Sequence, residues 1–174
     1  TTWSRGLGDV YKRQVYEMGS TFKIFPVAQG LEKNLFKLDS LIDTRPFKIS
    51  SKKIEDKYKF DNKSSVNEII VRSSNVGAAK ISLMVGETGL KEIFSTLGLL
   101  EPVNLELKEA NLTQPIIPKN WQDISLATLS YGYGMSVSLL HMAKAYAILG
   151  NGGFSIEPTI LKKKEVGHVG SRVV

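Results

Sequence analysis

Apolar positions along this chain recur at helical rather than strand spacing over most of its length. "STFKIFPVAQGLEKN" (20–34) places Phe22, Phe25 and the aliphatic residues after them at helix-compatible spacing, with Ser20 suited to cap the start and Gly30 to end it. Pro26 conflicts with a regular helix, because it removes the N–H that would bond the Phe22 carbonyl, so a kink or a shifted helix is expected. "SVNEIIVRSSNVGAAKISLMVG" (65–86) opens with Ser65 and Glu68 three apart, the spacing at which each side chain caps the other's backbone donor. It predicts a short helix to about Arg72 and a second from about Val76 to Val85, joined by "SSN". "GLKEIFSTLGL" predicts a further amphipathic helix ended by Gly98. A last helix, Ser138 to about Leu149, carries Leu139, Met142, Ala143 and Tyr146 at i, i+3, i+4, i+7 and runs into the turn Asn151-Gly152-Gly153.

The stretches between these helices are polar. Residues 37–64 are lysine-rich and weakly periodic, which reads as a long surface connection with "FKISSKKI" as its candidate strand or extended piece. "EPVNLELKEANLTQPIIPKNW" is rich in prolines and turn formers and is expected to be mostly loop. Residues 1–14, "TTWSRGLGDVYKRQ", show neither period. "DVYKRQ" matches the translation of a transposon-based sequencing-adapter end, so 1–14 is expected to be a foreign scar outside the fold.

With 174 residues and ordinary apolar and charged fractions, the chain can bury one substantial core, which excludes disordered and fibrous classes. It has no cysteine, so thiolate nucleophiles, disulfides and thiolate metal sites are excluded. His141 and His168 are far apart and lack metal-ligand spacing, so no metal is expected. The net charge of +6 lies mostly in runs such as "SSKKIEDKYK" and "KKK" (162–164), read as solvated; no aromatic platform accompanies them, so nucleic acid is not an expected partner. No stretch approaches the roughly 20 apolar residues that span a bilayer.

Chemistry concentrates in two short motifs, each present twice. Ser20-x-x-Lys23 opens an apolar helix, where i and i+3 share a face and an amine can reach a hydroxyl; Ser50-x-x-Lys53 sits in the polar connection with no helix to fix it. A serine becomes a useful nucleophile only beside a base, and a lysine serves as one only when burial or nearby positive charge favours its neutral form. A helix N-terminus adds backbone N–H groups able to hold a developing oxyanion. Ser65-Val66-Asn67 is explained by the helix cap, whereas Ser73-Ser74-Asn75 falls between two helices, where Ser73 and Asn75 can point together into a cleft. Taken singly, each motif is also satisfied by a cap or a turn.

S-x-x-K followed by S-x-N forms two parts of the S-x-x-K, S-D-N, K-T-G set of penicillin-recognising enzymes. "YEMGSTFKIF", "RSSNVGAAKI", "PKNWQDISLATLSYGYGMSV" and "LLHMAKAYAILGNGG" resemble consecutive signatures of the transpeptidase domain of class B penicillin-binding proteins, over Val15 to about Pro158. "SYGYGMSV" resembles the septal, cell-division subtype. The resemblance implies an α/β (α+β) fold of the penicillin-binding protein and serine β-lactamase kind, an antiparallel sheet flanked by helices. It further implies that Ser20 attacks the D-Ala-D-Ala carbonyl of a peptidoglycan stem peptide with Lys23 as general base. Ser73 would pass the proton toward the leaving D-alanine, and Asn75 would hydrogen-bond the peptide. β-Lactam antibiotics would acylate Ser20. The implied setting is a periplasmic domain anchored in the bacterial inner membrane, with division-complex membrane proteins as partners and no cofactor.

This chain departs from the pattern: the membrane anchor and the pedestal domain that precede the transpeptidase domain in the family are expected to be missing from it, and so is the third motif. No K-T-G or K-S-G occurs, and "KKKEVG" lacks the residues required directly after lysine. The expectation is therefore an internal fragment, mostly helical and lacking much of the sheet, with Met84, Leu97, Leu139 and Tyr146 partly unsupported. Such a fragment is expected to be poorly stable and not to acylate. A β-lactam sensor domain and a serine β-lactamase-like hydrolase share S-x-x-K; "NLELKEANL" does not supply the deacylating glutamate pattern of a class A enzyme.

Overall fold

The computed structural model describes residues 14–106, 113–162 and 170–174, which form two compact units. The expectation for residues 1–14 falls, apart from Gln14, outside the described residues, as do "KKEVG" (163–167) and His168.

The first unit comprises Glu17–Ile93 and Pro118–Gly134. It opens with a 3-10 segment, Gly19–Lys23, which passes directly into helix α1, Ile24–Glu32. This is the shifted helix that Pro26 predicts: the tighter turn covers the residues before the proline, and Pro26 lies in the first turn of the α-helical part, where a missing N–H costs little. Gly30 does not end the helix. It stays inside α1, packed under the Phe36 ring, where a Cβ would lie 2.0 Å from a ring carbon.

The polar stretch 37–64 is not the unbroken connection its composition suggests. It holds four short strands, β1 (Leu41–Asp43), β2 (Phe47–Ile49), β3 (Lys52–Ile54) and β4 (Lys63–Ser65), in two antiparallel pairs. β1 pairs with β4 with Ile42 opposite Ser64, and β2 pairs with β3 as a hairpin with Phe47 opposite Ile54. "FKISSKKI" is thus a complete hairpin rather than one strand, turning at Ser50, which takes a left-handed φ of 52°. Ile42 and Ile54 are anchored in separate apolar clusters, so single buried side chains hold strands too short to show a period of two.

Ser65 caps helix α2, Val66–Val71, by accepting the Glu68 N–H at 3.1 Å, while the Glu68 carboxylate turns to Arg72 instead of completing the reciprocal cap. Helix α3, Asn75–Thr96, is broken at Gly86 (φ 73°, ψ 177°), close to the predicted end at Val85. Gly98 stops the second half from a left-handed φ of 70°, with the Leu99 N–H returning to the Phe94 carbonyl at 2.8 Å. Helix α4, Asp123–Leu129, has no sequence expectation behind it; Ser82 of α3 donates to its Leu126 carbonyl at 2.7 Å. Val27, Phe36, Ile42, Val66, Ile69 and Ile81 form one core cluster, and Ile54, Val76, Ala79, Ala127 and Tyr131 another.

The second unit contains Tyr16, Phe94–Ile117 and Met135–Val174. Its helix α5, Leu139–Gly150, is capped by Ser138 reciprocally with His141. The buried face of α5 is His141, Met142, Ala145 and Ile148, so the predicted apolar stripe is rotated: Leu139 is 68% and Tyr146 44% exposed. His141 displaces the stripe because both ring nitrogens are engaged inside, Nδ1 with Ser138 at 2.6 Å and Nε2 with the Glu101 carbonyl at 2.9 Å. Of the four apolar residues expected to lack support, Met84, Leu139 and Tyr146 are exposed, but Leu97 is fully buried. Residues 101–106 and 113–121 contain no helix, and their only pairing among the described residues is the bridge of Ile116 to Ser136.

Candidate active site

Ser20 and Lys23 both lie in the 3-10 segment, whose three residues per turn set side chains at i and i+3 directly above one another. Ser20 does not cap a helix. Met18 occupies the cap position, and Thr21 Oγ1 donates to its carbonyl at 2.7 Å, which leaves the exposed Ser20 hydroxyl outside the capping bonds. Lys23 is buried, with 3% of its surface exposed. Its Nζ donates to Ser73 Oγ at 2.8 Å and to the Ser73 carbonyl at 2.6 Å. No hydrogen bond joins Ser20 to either residue among the described residues. Burial lowers the Lys23 pKa to about 8, against the opposing pull of the Asp56 carboxylate.

Ser73 holds a left-handed φ of 61°, a costly conformation for a residue with a Cβ. The strain is held by its neighbour. Ser74 is fully buried, donates to Asp56 Oδ2 at 2.7 Å and accepts the Gly77 N–H at 2.8 Å, so it is the N-cap of α3. Asp56 Oδ1 accepts the Asn75 N–H at 2.5 Å and the Val76 N–H at 3.2 Å. One carboxylate and one hydroxyl thereby satisfy the first three N–H groups of α3, groups that a helix leaves without partners of its own. The middle serine of "SSN" is structural, while Ser73 is exposed and bonded to Lys23 and Asn75 is half-buried. Asn75, with Tyr131, Tyr133 and Lys52, lines a cavity of about 210 Å³.

The "SYGYG" stretch fixes the approach to Ser20. Gly132 (φ 80°) lies against the backbone of Gly19, where a Cβ would stand 2.1 Å from the Gly19 oxygen; the Gly19 N–H reaches the Gly132 carbonyl at 3.4 Å. The Gly134 N–H donates to Glu17 Oε1 at 2.7 Å. Tyr131 and Tyr133 meet edge to face at 5.9 Å on the cavity wall.

The structure therefore brings Lys23 and Ser73 into direct contact, keeps Ser20 on the same turn as Lys23, and sets Asn75 at the start of α3 two residues beyond Ser73. Ser50 and Lys53 form no such pair: Lys53 is exposed and bound to Glu55. Sequence reasoning missed Asp56, which sits in the lysine-rich run read as solvated; its one visible signal is an acidic residue two positions after the apolar Ile54 that ends a strand.

Residues 9–173 match the model of the penicillin-binding protein transpeptidase domain. The chain belongs to this family. As a transpeptidase-domain chain it is 37% identical over 154 residues to the probable peptidoglycan D,D-transpeptidase FtsI of Caulobacter vibrioides (strain NA1000 / CB15N), covering 88% of this chain and 26% of that protein. It is 31% identical over 159 residues to the peptidoglycan D,D-transpeptidase FtsI of Escherichia coli (strain K12), covering 91% and 27%. It superposes on the apo structure of the TP domain from Burkholderia pseudomallei penicillin-binding protein 3 with a TM-score of 0.84 and 30% identity, covering 92% of this chain and 49% of that one. The fold is thus the α+β fold of that domain, here mostly helical with short antiparallel strands. The transpeptidase-domain chain spans about a quarter of the length of these two FtsI proteins.

Proposed function

We propose that the protein containing this chain is a serine D,D-transpeptidase that cross-links peptidoglycan stem peptides and is acylated by β-lactams. The observation that carries the proposal is the buried Lys23 amine, bonded to Ser73 and one 3-10 turn from Ser20. With a pKa of about 8, roughly a tenth of Lys23 is neutral at pH 7. That form takes the Ser20 proton as the hydroxyl oxygen bonds to the D-Ala-D-Ala carbonyl carbon. The proton then passes through Ser73 to the nitrogen of the departing D-alanine, and the C–N bond breaks to leave an acyl-Ser20 ester. The amine of a second stem peptide attacks that ester, forms the cross-link and returns the proton to Ser20. Asn75, on the cavity wall, hydrogen-bonds the bound peptide.

The similarity to two FtsI proteins supports a septal role, with an inner-membrane anchor, a periplasmic catalytic domain and division-complex membrane partners. Among the described residues no helix is long and apolar enough to cross a membrane. The test is a cross-linking assay of the full-length protein on pentapeptide-bearing peptidoglycan. Ser20→Ala is expected to abolish D-alanine release and cross-link formation together, and release that survives the substitution contradicts the reading.

A further inference from the structure

We infer that Lys52 is a specificity-determining residue for the donor stem peptide, its ammonium binding a free carboxylate on a residue that precedes D-Ala-D-Ala. The inference rests on the transpeptidase reading. Lys52 belongs to a lysine-rich run that composition alone assigns to solvent, yet the β2–β3 hairpin sets it apart from its neighbours. The two strands pair with Phe47 opposite Ile54, Lys48 opposite Lys53 and Ile49 opposite Lys52. Residues opposite one another share a face of a hairpin, and so do residues two apart along a strand. Phe47, Ile49, Ile54 and Lys52 therefore form one face, and Lys48 and Lys53 the other. The three apolar residues of the first face pack into the cluster that contains Val76 and Tyr131. Lys52 is thus the one charged residue on the face turned toward that cluster. It stays exposed at the turn end of the hairpin and lines the cavity of about 210 Å³ together with Asn75, Tyr131 and Tyr133.

These groups are ready for a ligand. Among the described residues the Lys52 ammonium, the Asn75 carboxamide and the hydroxyls of Tyr131 and Tyr133 have no hydrogen-bond or ion-pair partner. Lys53 and Glu55 also line the cavity, but they are paired with each other. What remains is one cation beside three neutral polar groups, with no free anion. An ammonium donates and never accepts, so it forms its stronger, charge-assisted bond with a carboxylate and only a neutral one with a carboxamide, whose NH2 it cannot receive. In a peptide substrate the anionic group is a carboxylate, and its place along the chain follows from the reacting atoms. The carboxylate of the departing D-alanine is a single carbon from the scissile nitrogen, so it stays beside Ser20 and Ser73. Neither of them, nor Lys23, lines this cavity, which leaves it to residues on the other side of the scissile bond.

The experiment measures D-alanine release by the full-length protein from two synthetic donor peptides ending in D-Ala-D-Ala. They differ only in whether the side chain of the preceding residue ends in a free carboxylate or in its carboxamide. The readout is the ratio of the two kcat/KM values, in which the terminal carboxylate common to both donors cancels. The unsubstituted protein is expected to favour the acid donor by about fivefold, the scale of a solvent-accessible ion pair. Lys52→Gln is expected to bring the ratio close to one, Lys52→Arg to keep the preference and Lys52→Glu to reverse it. A ratio unchanged in Lys52→Gln overturns the inference, including the case in which both donors slow equally because Lys52 meets the terminal carboxylate instead. Equal rates on the two donors in the unsubstituted protein contradict the role of Lys52 alone. No release from either donor contradicts the transpeptidase reading itself, and the inference falls with it.

Discussion

Lys23 Nζ donates two hydrogen bonds to one residue, Ser73, at 2.6 Å to its carbonyl and 2.8 Å to its hydroxyl, across 50 positions of sequence. A buried amine tied to neutral oxygens is poised between its charged and neutral forms, and its pKa of about 8 puts the change close to neutrality.

That pKa predicts the pH dependence of acylation. The active form of the base is the unprotonated one, so penicillin acylation of the full-length protein is expected to rise with pH through about 8 and level off above it. Stability follows the same sign: between about 8 and 10.5 the unfolded chain holds a proton that folded Lys23 has lost, so unfolding free energy rises with pH across that window. Lys23→Ala is expected to lower the acylation rate by about 10²–10⁴ at pH 8. A rate limb in stopped-flow labelling that falls through pH 8 contradicts this account.

Gly132→Ala tests the packing that supports Ser20. The added Cβ meets the Gly19 backbone at 2.1 Å, and a φ of 80° is unfavourable for alanine. Backbone against backbone cannot yield as a side chain can. The variant is expected to lose more than about 2 kcal/mol in denaturant unfolding and to label slowly with penicillin. Gly30→Ala, which instead presses on the Phe36 ring, is expected to cost about 1–3 kcal/mol by overpacking while labelling at a near-normal rate.

His141 predicts an acid-sensitive step in the other unit. Burial lowers its pKa below the ordinary 6.5, so the folded form resists a proton that the unfolded chain accepts. Its contribution is complete above pH 6.5 and is lost as pH falls through the lower, folded value. Thermal melts are expected to fall more steeply from pH 7 to 5 in the unsubstituted protein than in His141→Asn; parallel slopes contradict the assignment.

How much of this was legible in the sequence depends on what carried each feature. Helices α2 and α3 were visible because cap and stop signals such as Ser65 and Gly98 act locally, and α5 because its apolar spacing runs into the turn Asn151-Gly152-Gly153. The strands were not, since each is three residues long and only β1 and β3 carry a buried apolar residue, Ile42 and Ile54, packed among residues distant in sequence. The face of α5 was misjudged because a histidine, polar by composition, is among its most buried residues, while Leu139 stands in solvent. Lys23 and Ser73 could be paired in advance only through the family motif, because their contact spans 50 positions. Asp56 was not foreseen: its role comes from three bonds to the start of α3, 18 to 20 residues away, and in sequence it sits between Glu55 and Lys57 in a charged run.

The central claim is that Ser20 is the nucleophile served by Lys23. Its most direct test is mass spectrometry of protease-digested full-length protein after reaction with benzylpenicillin. The expected result is one penicilloyl group, assigned by fragmentation to Ser20 in the peptide ending at Lys23 and absent from Lys23→Ala on the same timescale. Assignment of the adduct to Thr21 or Ser73, or stoichiometric labelling elsewhere with Ser20 unmodified, would contradict it.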